Sequence, residues 1–235
     1  MLGLYLSIPF CRSKCTYCNF ASGVFPAGYH DRYIARIEQD LIAIRKRAKN
    51  WGAQLPQAVD SIYLGGGTPS LLSPALFRRL FASLRREFAV LPTAEITVEC
   101  APGQLEPAVL ETQAECGVTR VSFGVQSFVD REAKAIGRLH NRAAALEDIR
   151  RVRAAGIGDI SVDLIAGLPG HTVDSWYESL GALAESVDAE AALVAQVNRI
   201  GVILEDLLFG EFLLQVQGDE EFRGLAPPSA LRSQP

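Results

Sequence analysis

Residues 117–123 read Gly-Val-Thr-Arg-Val-Ser-Phe, and residues 156–162 read Gly-Ile-Gly-Asp-Ile-Ser-Val. In both segments a glycine follows an amphipathic helical stretch, and a short link then leads into an apolar run. Glycine readily adopts the left-handed backbone that ends a helix. Because the sequence of helix, glycine and strand recurs, it predicts repeated βα units, whose strands pair in a parallel sheet or barrel.

Five short apolar segments fit the strands of such a fold: residues 4–8, 61–64, 95–99, 120–125 and 159–164. Helical stretches lie between them, over residues 29–50, after Ser73-Pro74, and before Cys116-Gly117 and Ala155-Gly156. We therefore predict an α/β fold, a partial (β/α)6 TIM-like barrel with parallel strands. The pattern leaves the sixth strand uncertain, with residues 200–204 as a weak candidate.

Polar groups follow the predicted strands at the ends where parallel βα folds collect their chemistry. Cysteines follow the first strand, and Gly65-Gly66-Gly67-Thr68-Pro69 follows the second. Glu99, Gln126 and Asp163 stand at or near the ends of the next three. These five strand ends are expected to point metal ligands, open backbone and polar side chains at one mouth.

Three cysteines, Cys11, Cys15 and Cys18, form the pattern C-x3-C-x2-C. Three thiolates on one loop can hold three irons of a four-iron cluster, which leaves the fourth iron open for another ligand. A structural zinc site usually has its fourth ligand close by, and the nearest histidine, His30, is 12 residues past Cys18. A zinc site with a remote fourth ligand therefore remains an alternative. A site without metal is a further alternative. A disulfide is disfavoured because the count of 5 cysteines is odd and no signal peptide is apparent.

The remaining polar residues each have an ordinary structural interpretation beside a functional one. The glycine run either forms a tight turn or lets backbone groups approach a ligand, and it is not a phosphate-binding P-loop because the required lysine is missing. Arg138 is either a carboxylate clamp or a helix-surface arginine. His140 and His171 either face a substrate or serve the structure. We expect neither Cys100 nor Cys116 to be a ligand. Cys116 fits a packed small residue, whereas Cys100, next to Glu99, could lie nearer the site and is assigned no role.

The composition suits a globular protein, with 235 residues of which 49% are hydrophobic and 21% charged. A net charge of −4 does not favour a nucleic-acid-binding surface. No apolar run approaches the roughly 20 residues that a membrane-spanning helix needs. The first ten residues lack the basic region of a cleaved signal, so we expect a soluble cytoplasmic protein.

The motifs, taken together, resemble those of the radical S-adenosylmethionine (radical SAM) enzymes. The resemblance runs from about residue 4 to about residue 183. It rests on Tyr5, on Ile8-Pro9-Phe10-Cys11, on the glycine run at residues 65–69 and on Gly124-Val125-Gln126-Ser127-Phe128. In this version the motifs are similar to one branch of the family, which contains oxygen-independent coproporphyrinogen III oxidase and the haem chaperone HemW.

The resemblance implies a barrel of the radical SAM type with a 4Fe–4S cluster on Cys11, Cys15 and Cys18. The open iron then takes the amino and carboxylate groups of SAM, and one electron from the cluster cleaves SAM to methionine and a 5′-deoxyadenosyl radical. The positions that match those around SAM are Tyr5, Tyr17, Gly66, Gly67, Thr68, Glu99, Gln126, Arg138 and Asp163. Arg138 suits the methionine carboxylate, whereas Glu99, Gln126 and Asp163 suit the amino and ribose hydroxyl groups.

Within the branch, Phe20 is the informative position. The oxidase carries a further cysteine two residues after the cluster motif, where this chain has Phe20. This favours a haem chaperone, for which the resemblance implies haem as cargo. The implied partners are an electron-donor protein and a haem-acceptor protein. The alternatives are the oxidase, which decarboxylates coproporphyrinogen III to protoporphyrinogen IX, and a truncated, non-catalytic metal-binding fragment.

The resemblance ends near residue 186. We predict a radical SAM core over residues 1–186, and over residues 187–235 a divergent segment without a recognisable C-terminal domain. Within that segment, residues 189–208 are interpreted as helical, and a polar tail follows.

Overall fold

Parallel strands alternate with helices along the chain, as the repeated units predict. The computed structural model describes residues 1–186 and 195–196. The strands are β1 (Leu2–Ile8), β2 (Ala58–Gly66), β3 (Ala89–Cys100), β4 (Arg120–Gln126), β5 (Asp159–Ile165) and β6 (Ala195–Gln196). The helices are α1 (Gly28–Asn50), α2 (Pro74–Glu87), α3 (Pro107–Glu115), α4 (Asp130–Ala135), α5 (Arg142–Ala154) and α6 (Val173–Ser186), and a 3-10 turn spans Pro69–Leu71.

The six strands form one sheet in the order β1-β2-β3-β4-β5-β6, and each pairs parallel with the next along the chain. This order is that of a TIM-like barrel wall. Within residues 1–186 and 195–196 the pairing runs from β1 to β6 without joining the two ends, so the described part is an open barrel. The predicted α/β class, the parallel pairing and all five predicted strands are confirmed.

The described part of the sixth strand, Ala195–Gln196, lies where the sequence pattern predicted a helix. Ala195 and Gln196 pair with Leu164 and Ile165 of β5. The helical interpretation of residues 189–208 is therefore wrong at these two positions. The open edge of β5 offers backbone donors and acceptors that a neighbouring strand satisfies, and this outweighs local helix propensity. The candidate strand at 200–204 lies outside the described residues, and the boundary at residue 186 stays a prediction.

The core is aliphatic along the sheet and aromatic beneath the helices. Val59, Leu64 and Val98 are fully buried, as expected for parallel strands covered on both faces. Phe77 and Phe81 of α2 stack at 4.9 Å between ring centroids. Each such side chain stabilises the fold by about 1.5–3 kcal/mol relative to exposure.

The helix caps predicted from the sequence are present in the structure. Ser73 accepts a hydrogen bond from the backbone N–H of Leu76 at 3.4 Å and so caps α2. Gly117 and Gly156 have φ values of +80° and +85° just beyond α3 and α5, which confirms both predicted glycine caps.

Two further predictions concern burial and membranes. Cys116 is 5% exposed, which confirms it as a packed residue, and Cys100 is also buried, with 3% exposed. In the part of the chain that the model describes, no helix is long and apolar enough to cross a lipid bilayer.

Candidate functional site

The loop that carries the three cysteines follows β1 and is tied down at both ends. The N–H of Cys11 donates to the carbonyl of Gly23 at 2.8 Å. Lys14 Nζ donates to the carbonyls of Phe20 and Ser22 at 2.6 and 3.0 Å. These bonds close the segment from Cys11 to Gly23 into a compact loop at the end of the first strand.

The cysteines themselves are unpaired thiols and partly exposed. A turn brings the N–H of Cys18 to the carbonyl of Cys15 at 3.2 Å. Among residues 1–186 and 195–196, no three His, Cys, Asp or Glu side chains are close enough together to hold a single metal ion. The donors are nonetheless those of an iron–sulfur cluster, since they are three accessible soft thiols on one short loop.

A second loop, residues 136–138 after α4, contacts the cysteine loop. Thr16 donates its N–H to the carbonyl of Ile136 at 3.2 Å. Tyr17 packs on the cluster of Ile136, Ile165 and Leu168. The predicted site residue Tyr17 is therefore held against residues at the ends of α4 and β5.

Arg138 joins the cysteine loop to the fourth strand. Its Nη1 lies 3.5 Å from Cys15 Sγ, and its Nη2 donates to the carbonyl of Gly124 in β4. Its Nε is buried without a hydrogen-bond partner in the described residues. The interpretation as a helix-surface arginine is therefore wrong, because the guanidinium faces inward and places positive charge beside a thiol.

The glycine run after β2 packs its backbone against the cysteine loop. Gly67 donates its N–H to the carbonyl of Ile8 at 2.8 Å, and Thr68 donates to the carbonyl of Phe10 at 2.7 Å. A Cβ on Gly67 would lie 2.7 Å from that Phe10 oxygen. The run thus requires glycine for close approach, and Gly66, with φ +107°, also for its backbone conformation.

Glu99 lies at the end of β3 and accepts two hydrogen bonds. Gly66 donates its N–H to Glu99 Oε2 at 2.9 Å, and Tyr63 donates its hydroxyl to Oε1 at 3.0 Å. Burial raises the pKa of Glu99, the two hydrogen bonds oppose this rise, and the negative charge of Asp163 adds to it. The remaining predicted tyrosine, Tyr5, is exposed and stacks on Tyr63 at 5.7 Å.

Gln126 and Asp163 complete the set of strand ends. Gln126 has φ +73°, which makes it the one non-glycine residue with a positive φ among those described. Such a conformation costs free energy and is typical of functional sites. Burial raises the pKa of Asp163, against a hydrogen bond from Ser122 and the charges of Arg120 and Arg138. The mouth therefore holds two carboxyl groups whose pKa values are raised by burial, and one inward-facing arginine.

The two histidines near the mouth are both largely buried. Burial, followed by the charge of Arg138, lowers the pKa of His140 to about 4. His171 Nδ1 accepts a hydrogen bond from the N–H of Gly167 at 2.9 Å, and its Nε2 lies 3.9 Å from Glu132. His171 therefore has a local structural partner, and its predicted role towards a substrate stays a prediction.

Sequence reasoning missed two parts of this region. The first is Tyr63, whose hydroxyl positions Glu99; its only sequence signal was an aromatic residue just before the glycine run. The second is a buried network in which Ser127 Oγ donates to Glu132 Oε2 at 2.8 Å and lies 3.3 Å from Ser179 Oγ. A buried carboxylate on the short helix α4 left no periodic signal.

The assembled site combines thiols, carboxyl groups, a guanidinium and open backbone at the carboxyl ends of β1 to β5. Thiols select soft metals, a guanidinium pairs with a carboxylate, and carboxyl groups accept from amines and hydroxyls. The arrangement suits a metal group beside a ligand that carries both an amine and a carboxylate.

The model of the radical SAM superfamily matches residues 5–183. The chain belongs to the radical SAM superfamily. Membership implies a 4Fe–4S cluster and SAM, in agreement with the donors on the cysteine loop. This radical SAM chain is 34% identical over 188 residues to the haem chaperone HemW of Haemophilus influenzae, a match that covers 80% of this chain and 48% of that protein.

Two further relatives place the chain in the same branch. It is 38% identical over 186 residues to the oxygen-independent coproporphyrinogen III oxidase of Bradyrhizobium diazoefficiens, with 75% of this chain and 38% of that protein covered. Among solved structures, it is similar to coproporphyrinogen III oxidase (HemN) from Escherichia coli, with a TM-score of 0.72, 29% identity, and coverage of 84% of this chain and 44% of that one. The radical SAM chain thus spans less than half the length of these relatives.

Proposed function

We propose that this chain binds a 4Fe–4S cluster and SAM and acts as a HemW-like haem chaperone. The observation that carries the cofactor part is the contact of Arg138 with both Cys15 Sγ and the backbone of Gly124. One side chain thereby connects the proposed cluster loop with the strand ends proposed to hold SAM.

The proposed roles follow from the chemistry of each group. Cys11, Cys15 and Cys18 hold three irons, and Arg138 pairs with the methionine carboxylate. When bound, the cluster supplies the electron for reductive cleavage of SAM. The remaining proposed contacts to SAM come from Tyr5, Tyr17, Gly66, Gly67, Thr68, Glu99, Gln126 and Asp163.

Hydrogen bonds within the chain hold the groups proposed to contact SAM in position without a ligand. Tyr63 and Gly66 hold Glu99 at the mouth through two hydrogen bonds, so the carboxyl group presents a fixed acceptor. The backbone of the glycine run lies against Ile8 and Phe10 and fixes the distance between the first two strand ends. Preorganised groups of this kind bind a ligand without the cost of ordering themselves.

Phe20 supports the chaperone over the oxidase. It occupies the position at which the oxidase branch carries a further cysteine, and its side chain is 61% exposed. The oxidase remains a second candidate, because the match to the Bradyrhizobium enzyme has the higher identity, 38% against 34% for the Haemophilus chaperone. We further propose an electron-donor protein and a haem-acceptor protein as partners, and the reducing cytoplasm as the compartment, since the thiols must stay reduced.

Anaerobic reconstitution with iron and sulfide tests the cofactor proposal. The wild-type chain is expected to gain the broad visible absorption of an iron–sulfur cluster, and SAM should change the electron paramagnetic resonance (EPR) spectrum of the reduced cluster. Cys15→Ala should lose the cluster, whereas the matched control Cys116→Ala should keep it, because Cys116 is buried away from the loop. Retention of zinc with no cluster would instead identify a metal-binding fragment.

Two assays on the reconstituted chain separate the remaining functions. A chaperone should bind haem and release it to an acceptor, and it should leave coproporphyrinogen III unchanged. Decarboxylation of coproporphyrinogen III in the presence of SAM and a reductant would establish the oxidase instead.

A further inference from the structure

A buried network of hydrogen bonds lies directly behind Gln126, the residue at the end of β4 with a positive φ. Its members are Ser127, Phe128, Glu132 and Ser179, which are all 1–3% exposed. Ser127 and Phe128 follow Gln126 in the chain, whereas Ser179 lies on α6, 51 residues beyond Phe128. The network therefore ties the end of β4 to a helix from a distant part of the sequence.

Two hydrogen bonds fix the residues that follow Gln126. Ser179 Oγ accepts from the backbone N–H of Phe128 at 3.1 Å. Ser127 Oγ donates to Glu132 Oε2 at 2.8 Å, and it lies 3.3 Å from Ser179 Oγ. Because a buried polar group that loses its partner destabilises the fold, these bonds favour one arrangement of the segment after Gln126.

The backbone conformation of Gln126 needs support from its surroundings. Its φ of +73° lies in the left-handed region, which is unfavourable for a residue that carries a side chain. Such a conformation persists only where neighbouring structure holds it. Pairing with β5 holds the N-terminal side of Gln126, where the register shifts between Gly124 and Gln126. The buried network holds the C-terminal side.

The side-chain amide of Gln126 lies beside Arg138 at the mouth. A Cβ on Gly124 would lie 3.0 Å from Gln126 Nε2 and 3.4 Å from Arg138 Nη2, so both groups lie over the same glycine. The amide and the guanidinium are therefore neighbours, and both are proposed to contact SAM. A change in the backbone of Gln126 would carry its amide away from the guanidinium.

We propose that Ser179 is a positioning residue for SAM. It holds Phe128 and Ser127 in place, and thereby keeps Gln126 in the conformation that sets its amide beside Arg138. This inference rests on the proposed binding of SAM. When only a fraction of the molecules holds the competent arrangement, the apparent affinity for the ligand falls by that fraction.

Titration of the anaerobically reconstituted chain with SAM tests this role, with EPR of the reduced cluster as the readout. Ser179→Ala should weaken SAM binding roughly fivefold or more, while the spectrum of the cluster without SAM stays that of wild type. Ser127→Ala removes the other hydroxyl of the network and should weaken SAM binding in the same way. It serves as a second variant if Ser179→Ala does not fold.

Ser175→Ala is the matched control on the same helix. Ser175 is also a buried serine, 2% exposed, but its hydroxyl accepts from the N–H of Thr172 at 2.9 Å and donates to the carbonyl of Thr172 at 3.0 Å. Its loss should therefore leave SAM binding unchanged. Thermal unfolding by circular dichroism establishes that each variant is folded.

A double-mutant cycle separates positioning from a general loss of stability. Gln126→Ala removes the amide that Ser179 is proposed to position. Adding Ser179→Ala to Gln126→Ala should therefore cause little further loss of SAM affinity. A merely structural role of Ser179 would give the same loss with and without the Gln126 amide.

The outcomes distinguish this inference from the function on which it rests. If wild type, Ser179→Ala and Ser127→Ala bind SAM equally well, the positioning role is refuted while SAM binding stands. Equal losses from Ser179→Ala in both backgrounds refute it too. If the wild-type chain forms no cluster, or its cluster does not respond to SAM, both the SAM proposal and this inference are refuted.

Discussion

Replacing Gly67 with alanine should destabilise the junction between the second strand and the cysteine loop. The added Cβ would lie 2.7 Å from Phe10 O, 2.8 Å from Ile8 O and 2.9 Å from Phe10 N. All three are backbone atoms, so no side chain can rotate away. Overpacking of this kind costs about 1–3 kcal/mol, and loosening the two hydrogen bonds from Gly67 and Thr68 costs about 1 kcal/mol each.

A loss of about 3 kcal/mol corresponds to a fall of about 6–12 °C in melting temperature for a chain of this size. Thermal unfolding by circular dichroism measures it, and cluster content after reconstitution reports on the cysteine loop. Gly158→Ala is the matched control, since a Cβ there meets nothing within 4 Å. That control should be unchanged or more stable by up to about 1 kcal/mol. Equal melting temperatures and cluster content for Gly67→Ala and wild type would refute the close-approach argument.

Three further predictions concern individual contacts. Burial raises the pKa of Glu99, so its ionisation should cost the wild type stability as the pH rises above the ordinary carboxyl pKa of about 4.3. Glu99→Gln should therefore gain stability relative to wild type as the pH rises above that value in urea unfolding, and the exposed control Glu111→Gln should not. Asp148→Ala should cost about 2 kcal/mol in the same assay, because it removes the acceptor of the Gly103 N–H at 2.7 Å; an unchanged urea midpoint would contradict this. Asn141→Ala should cost about 1 kcal/mol through loss of the α5 cap, measured as a fall of about 2–4 °C in melting temperature.

The sequence allowed the order of strands and the edge that carries the site to be predicted, because both depend on local signals. Each apolar run, each capping glycine and the position of Glu99 or Asp163 within its own strand can be recognised from a window of a few residues. Parallel pairing then brings distant strand ends together without further information. The confirmed strands follow from these rules.

Features set by tertiary contacts were not predictable in the same way. The positive φ of Gln126, the hydroxyl of Tyr63 on Glu99 and the inward direction of Arg138 each depend on neighbours far away in sequence. The strand at Ala195–Gln196 was missed because its local pattern is helical, and only the edge of β5 makes it a strand. Tertiary context overrides propensity in such cases.

The support of the cysteine loop by residues 136–138 has a consequence for the order of events during synthesis. Cys15 leaves the ribosome early, but its partner Arg138 is 123 residues further along the chain. At about 5–20 residues per second, translation needs roughly 6–25 s to supply that partner. The three thiols are therefore made well before the residues that hold their loop in place, and a nascent chain depends on a reducing environment until the loop at residues 136–138 has been added.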